Sequence, residues 1–222
     1  MEKFLGVLFC GGRGTRLGEI TNYISKSFVP VYDKPVFRFG LELLESSKKI
    51  EEIIILTNED NDSKLRQLGY RTIIQSDSRV HDMFSGWDFV KKYLRTKSHG
   101  VLVPSDSICE VKIDNLIKTF EKKNAEFLFS VKDISSREKL SQMGCFDIET
   151  GKFYYRNPDP PSKYGVIAPY IIENSPVNIS GRNMFETAHK EVIFHKGYWF
   201  DTGDHDSLIE AAEWRQKIVK GI

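Results

Sequence analysis

The chain has 222 residues, 40% hydrophobic and 28% charged, the balance of a globular protein with one large or two small domains. Lysine and arginine number 32 against 31 aspartate and glutamate, a formal net charge of +1, which argues against wholesale binding to nucleic acid or to a membrane surface. No apolar run reaches about 18 residues, so no membrane span is expected; the apolar stretch of "MEKFLGVLFCGG" is short and wrongly flanked for a secretory leader, and the expected location is cytoplasmic. Cys10, Cys109 and Cys145 are scattered, show no zinc spacing with histidine, and read as buried reduced thiols.

In chain order, "KFLGVLFC" reads as a buried strand ended by Gly11 and Gly12. "VFRFGLELLESSKKI" carries helical spacing through Phe37, Leu41, Leu44 and Ile50. "EEIIILTN" is a second buried strand, "NDSKLRQLG" a short helix stopped at Gly69, and "RTIIQ" a third strand. "HDMFSGWDFVKKYLR" is a helix, "GVLVPSD" a fourth strand, "VKIDNLIKTFEKKN" a helix and "AEFLFSVKD" a fifth strand. This alternation predicts an α/β fold, a Rossmann-like, mostly parallel mixed sheet flanked by helices, with ligands beyond the carboxyl ends of its strands. After about residue 135 the pattern changes. "GCFDIETGKFYYRN" reads as a hairpin and "YGVIAPYII" as a strand. "EVIFHKGYWFD" is a strand or hairpin arm ending at an acid, and "HDSLIEAAEWRQKIV" a closing helix. No flexible linker divides the two parts, so we expect a single domain over 1–222, with a nucleotide-binding half at 1–135 and an acceptor-binding half at 136–222.

The stretch "CGGRGTRLGEITNYISKSFVPVYDKP" sets glycines, two arginines and a lysine directly after a buried strand. Such a loop offers backbone N–H groups to phosphates. A Walker A loop is absent, and the dinucleotide fingerprint fails because Leu17 stands where its third glycine belongs. That disfavours a nicotinamide-dependent oxidoreductase. The two arginines suit a triphosphate better than a pyrophosphate on a bare helix end.

"GGRGTRL" followed by "KSFVPVYDKP" resembles the signature of the sugar-phosphate nucleotidyltransferases, above all the group acting on glucose 1-phosphate with dTTP or CTP. "VLVPSDSI" and "GYWFDTGDHDSLIEAAEW" extend the resemblance over nearly the whole chain, more loosely in the middle. The resemblance implies the nucleotide-diphospho-sugar transferase type of fold and a transfer of a nucleoside monophosphate to a phosphate acceptor, with release of pyrophosphate. It implies that Gly11, Gly12, Gly14, Thr15 and Arg16 hold the leaving phosphates, and that Lys26 bridges nucleophile and α-phosphate. It also implies that Asp106 and Asp201 hold Mg²⁺, which takes one or two carboxylates plus phosphate oxygens. Each acid ends a strand-like run, so both can face one crevice. Read without the resemblance, Asp106 is equally a turn aspartate, and Asp201 a helix cap, although Asp204 and Asp206 are better placed to cap. Lys34 reads as a salt-bridging residue of the loop, and the five histidines show no ligand spacing.

The middle departs from the family pattern. Gln75 is kept for a pyrimidine base, but the prolines and glycine after it are replaced in "IIQSDSRVHDMF". The segment whose lysine grips the sugar phosphate becomes "YRNPDPPSKY", leaving Arg156 or Lys163 as the cation, and the hexose-contacting segment becomes "IAPY". These changes resemble the short cytidylyltransferases of capsule phosphoramidate modification, whose acceptor is phosphoglutamine. The expected substrates are therefore CTP and a phosphorylated small molecule, with no nucleic acid and no membrane as partners, and a homo-oligomer allowed. The alternatives are a glucose-1-phosphate thymidylyltransferase or cytidylyltransferase and, from another class, a catalytically inactive nucleotide-binding regulator, disfavoured by the presence of Arg16, Lys26, Asp106 and Asp201.

Overall fold

The computed structural model describes residues 2–76, 78–174 and 181–222. The first half runs β1 (Phe4–Phe9), α1 (Ile20–Tyr23), β2 (Pro30–Val31), β3 (Lys34–Pro35), α2 (Phe37–Glu45), β4 (Ile50–Thr57), α3 (Glu59–Gln67) and β5 (Thr72–Ile74). It continues through α4 (Met83–Leu94), β6 (His99–Pro104), β7 (Ser107–Cys109), α5 (Ile113–Lys123) and β8 (Phe127–Asp133). The rest is α6 (Arg137–Ser141), β9 (Gly144–Asp147), β10 (Lys152–Tyr155), β11 (Tyr164–Ile172), α7 (Met184–Thr187), β12 (Lys190–Phe194), β13 (Trp199–Asp201) and α8 (His205–Lys220).

Strands β5, β4, β1 and β6 lie side by side and parallel, as alternating strands and helices require. The long strand β11 runs antiparallel between β6 and β8, and β12 adds to β8 in parallel. The β9–β10 hairpin joins through Gly165 opposite Cys145. One mixed nine-stranded sheet thus takes strands from both halves of the chain.

Three apolar clusters hold the layers. On one face of the sheet, Phe37, Leu41 and Leu44 of α2 and Ile113, Leu116, Ile117 and Phe120 of α5 pack on Phe4 and Leu8. On the other, Phe84, Trp87 and Val90 of α4 meet Leu5, Val7, Phe127 and Phe129. Phe185 of α7 stands among Phe127, Phe129 and Phe84, with ring centroids 5.0, 4.9 and 5.7 Å away. Each such pair contributes about 0.5–1.5 kcal/mol beyond its buried area, so this ring cluster ties the two halves together. A third cluster joins β2, β7 and β13 to α8 through Val31, Ile108, Phe200, Leu208 and Ala211. Two helical glycines bring their helices close to the strand that carries the loop. A Cβ on Gly40 would lie 2.8 Å from Leu8, and one on Gly86 2.5 Å from Phe9.

The structure corrects the sequence reading at four places. Ile50 opens β4 rather than ending a helix; α2 stops at Glu45, yet Ile50 packs on the same cluster as Leu44, so its apolar signal mimics helical spacing. "EVIFHKGYWFD" is two strands in two sheets: the His195 ring meets the Tyr198 carbonyl at 3.0 Å across the break, β12 continues on β8, and β13 turns to β7. The fourth strand ends at Pro104, and after a two-residue turn at Ser105–Asp106 the chain resumes as β7. "PVYDKP" is a small hairpin, β2–β3, with Tyr32 at φ 60 in its turn.

Candidate active site

The loop after β1 is anchored at its root. Cys10 N–H donates to the Leu56 carbonyl (2.7 Å), and the Cys10 carbonyl accepts from Asn61 Nδ2 (3.0 Å) and Ser27 Oγ (3.2 Å). The Cys10 thiol is buried, and burial pushes its pKa up to about 12, so it is a protonated packing group beneath the loop. Gly14 has φ 68 and ψ 30, the left-handed region that glycine tolerates best, and turns the chain into a short 3₁₀ turn at Thr15–Leu17. Leu17 is fully buried and pins that turn, which leaves Arg16 projecting from it. Among the described residues the N–H groups of Gly11, Gly12, Gly14 and Thr15 donate to no protein acceptor. Such unsatisfied donors beside a cleft suit an anion.

Two cation–carboxylate pairs stand beside this loop. Lys26 Nζ is hydrogen-bonded to Asp106 Oδ2, and Arg16 Nη2 lies 3.7 Å from Asp201 Oδ2. Asp106 occupies the turn between β6 and β7, while Asp201 is the last residue of β13. Pairing of β13 with β7 sets Asp201 opposite Ser107. Thr202 fastens the two acids, since its N–H and its hydroxyl each donate to the Asp106 carbonyl at 2.9 Å. Burial first, and then the neighbouring Asp106 charge, raise the Asp201 carboxyl above its ordinary range, while Lys26 and Arg16 pull it back. All four side chains therefore share one electrostatic site. Asp204, not Asp201, caps α8, accepting from Ser207 N at 2.9 Å. Lys34 pairs with Glu42 and holds the β2–β3 hairpin on α2.

The carboxyl ends of β1, β4 and β5 open onto a cleft of about 770 Å³ lined by Gly11, Gly12, Arg13, Tyr23, Asn58 and Gln75. A smaller space of about 240 Å³ shares Gly11, Gly12 and Gln75 and reaches Lys26 and Asp106. Gln75 lies against the loop, its Nε2 donating to the Gly11 carbonyl at 3.5 Å. The rebuilt segment after Gln75 includes Asp77, which lies outside the described residues.

Arg156 and Lys163 line neither of these spaces. Lys163 is largely exposed and pairs with Asp133 at 2.6 Å. The Arg156 guanidinium lies 5.2 Å from the centroid of the Tyr155 ring. Two lysines that the sequence reading passed over approach β13 instead. Lys132 Nζ donates to the Gly197 carbonyl at 2.7 Å, and Lys139 Nζ to Ser207 Oγ at 3.4 Å. No motif marks either of them.

Among the described residues no group of three or more His, Cys, Asp or Glu is arranged to hold a metal ion. The two carboxylates at 106 and 201 match an ion that takes one or two protein oxygens and the rest from phosphate and water. The model of the nucleotidyl transferase family matches residues 5–156, about two thirds of the chain. The chain belongs to that family. The matched span of this nucleotidyltransferase contains the loop, Lys26 and Asp106, while Asp201 reaches the site through the β7–β13 pairing. A glucose-1-phosphate thymidylyltransferase of Neisseria meningitidis is 27% identical over 96% of the chain and 83% of that protein. One from Mycolicibacterium smegmatis is 25% identical over 96% and 82%. The crystal structure of a UDP-glucose pyrophosphorylase complexed with UDP-glucose superposes with a TM-score of 0.73 at 18% identity, covering 98% of this chain and 99% of that one; at that identity the likeness is one of fold. No helix among the described residues is long and apolar enough to cross a membrane.

Proposed function

We propose that this nucleotidyltransferase joins a phosphorylated small molecule to the nucleoside monophosphate part of a nucleoside triphosphate, CTP in our reading, over a single unit spanning 1–222. An acceptor phosphate oxygen forms the new bond to the α-phosphorus; the bond from that phosphorus to the β-phosphate bridging oxygen breaks, and pyrophosphate leaves with the electron pair. The observation that carries this reading is the pairing of Lys26 with Asp106 and of Arg16 with Asp201 beside the unsatisfied loop N–H groups.

In this reading the N–H groups of Gly11, Gly12, Gly14 and Thr15 hold the β- and γ-phosphates, and Arg16 meets the charge that gathers on the departing pyrophosphate. Lys26 lies against the α-phosphate and the incoming oxygen, so the two reactants are held in line. Asp106 and Asp201 would hold Mg²⁺, which when bound would supply positive charge to offset that of the phosphates. Gln75, with one amide donor and one acceptor, meets the base edge. Names of the relatives support dTTP as a second reading, with glucose 1-phosphate as acceptor. The replacement of the sugar-contacting segment by Ile167–Ala168–Pro169–Tyr170 supports a non-sugar acceptor such as phosphoglutamine. The test is a pyrophosphate-release screen of CTP, dTTP, UTP and GTP against glucose 1-phosphate, phosphoglutamine and other phosphorylated metabolites. Release with CTP and a non-sugar phosphate is the expected result. Efficient turnover of dTTP with glucose 1-phosphate, at about 10⁴ M⁻¹s⁻¹ or more, moves the assignment to the second reading, and no release with any pair refutes both.

A further inference from the structure

The β7–β13 ribbon has two faces. Tyr198 and Phe200 of its second arm pack into the third apolar cluster with Ile108 and Trp214. Side chains alternate along a strand, so Trp199 and Asp201 project from the opposite face. Trp199 Nε1 donates to Ser107 Oγ at 3.0 Å, which places Ser107 on that same outward face, beside Asp106 in the chain and opposite Asp201 in register. Cys109, at the far end of the ribbon, has its Sγ 3.9 Å from the Ala168 carbonyl of β11. The outward face of the ribbon and β11 are therefore neighbours, and the ground between them adjoins the two acids.

Lys139 reaches this face from α6. Its Nζ lies 5.4 Å from the centroid of the Trp199 ring and 3.4 Å from Ser207 Oγ. Among the described residues no carboxylate lies within ion-pair distance of it, whereas Lys26, Arg16, Lys34 and Lys163 are each paired with an acid. Lys132, which approaches the root of the same strand, likewise meets only a neutral oxygen, the Gly197 carbonyl. Two positive charges thus approach the strand that ends in Asp201; among the described residues no carboxylate lies within ion-pair distance of either, and Glu110 packs against Gly197 beside Lys132. Trp199 and Asp201 are two residues apart, about 7 Å along an extended strand.

We propose that Lys139, held over Trp199, grips the acceptor's phosphate, the role that the sequence pattern suggests for Arg156 or Lys163. The proposal rests on the nucleotidyltransferase reading above and adds the acceptor's anion site to it. An ammonium with a hydroxyl as its only hydrogen-bond partner gains a charge-assisted bond when phosphate arrives. Lys163 would have to leave Asp133 to do the same.

The test uses the full chain and two readouts. The first is tryptophan emission titrated with inorganic phosphate, with Trp199→Phe assigning the Trp199 component. In the wild type phosphate changes that component. Lys139→Met raises the apparent Kd by about tenfold to hundredfold, Lys139→Arg recovers part of the loss, and Lys123→Met, on the far end of α5, behaves as wild type. The second is kinetic: Lys139→Met raises the KM of the acceptor found by the screen by a similar factor and leaves the triphosphate KM within about twofold. The proposal is overturned by a wild-type-like phosphate titration of Lys139→Met, by a Trp199 component that ignores phosphate, or by loss of phosphate binding in Lys163→Met or Arg156→Met instead. A wild type that shows Lys139-dependent phosphate binding but releases no pyrophosphate with any substrate pair refutes the transferase reading and leaves the anion site standing.

Discussion

Gly12 and Gly14 are two residues apart in one loop, and the structure gives them opposite reasons to be glycine. At Gly14 the reason is conformational. With φ 68 and ψ 30, an alanine pays about 1–2 kcal/mol for the left-handed region alone. Its Cβ would also stand 2.7 Å from Lys26 Cβ and 3.0 Å from Thr21 Cγ2. The first of these is the atom next to the backbone and cannot swing aside, so the overlap adds about 1–2 kcal/mol. Gly14→Ala should therefore destabilise the protein by about 2–4 kcal/mol, or roughly 5–15 °C in Tm for a chain of this size. At Gly12 the backbone is ordinary and a Cβ would meet nothing within 4 Å. Gly12→Ala should change stability by less than about 0.5 kcal/mol. Gly12 lines both spaces of the cleft, however, so its methyl would stand where a triphosphate must approach the loop N–H groups. Losing one such charge-assisted bond raises the triphosphate KM by about tenfold to hundredfold. Thermal unfolding without ligand measures the first effect, and the KM for CTP, or the Tm shift that CTP induces, measures the second. The reasoning fails if Gly14→Ala melts with the wild type, or if Gly12→Ala binds CTP as the wild type does.

Arg16→Ala should lower kcat/KM by about 10²–10³-fold with an unchanged far-ultraviolet circular dichroism spectrum, because the side chain projects from a turn pinned by Leu17; turnover within about threefold of wild type sinks the loop assignment. Asp106→Asn and Asp201→Asn should each weaken Mg²⁺ binding measured by calorimetry in the presence of CTP and reduce turnover to a trace, and activity that persists in excess EDTA contradicts the two-carboxylate site. The raised Asp201 pKa also predicts a stability change, with the sign set as follows: the unfolded chain ionises first, so the native state is penalised as pH rises through the ordinary carboxylate value and stays penalised above the folded one. Ligand-free Asp201→Asn should therefore melt higher than wild type at pH 7, with the gap narrowing as pH falls through the raised native value and closing by about pH 4, and an equal or lower Tm at pH 7 counts against burial as the leading cause.

Where short-range pattern and tertiary role coincide, the fold was legible in the sequence. The runs that became β1, β4 and β8 are apolar because both faces of those strands are covered, and Gly69 at φ 87 ends α3 as its position suggested. Legibility failed where one segment serves two partners. Nothing local in "EVIFHKGYWFD" says that its first arm belongs to β8 and its second to β7; the separation is made by the break at residues 195–198 and by strands some 60–90 residues away. Ile50 was misread because a residue at the start of a strand and one at the end of a helix can fill the same cluster.

The same contrast divides the site. In the proposed reading a triphosphate is held by consecutive backbone groups and one side chain of a single loop, so the candidate machinery is compressed into "GGRGTR" and can be recognised from spacing alone. The acids at 106 and 201 are 95 positions apart, and a strand pairing three residues long brings them together. Their charges suggest a shared role, but only the pairing of Asp201 with Ser107 brings the two acids into one electrostatic site. At the proposed acceptor site the dispersion is complete. Lys139, Trp199, Ser107 and Ser207 come from four segments, and each residue type is common on any surface. Arg156 and Lys163 stand out in the sequence because they are the cations of the loop that the resemblance assigns to the acceptor phosphate, yet Lys163 already pairs with Asp133, and neither lines the cleft. A lysine becomes informative only when its neighbours are known: Lys139 looks no different from Lys123 in the sequence, and it is the tryptophan beneath it and the Ser207 hydroxyl against it that set it apart.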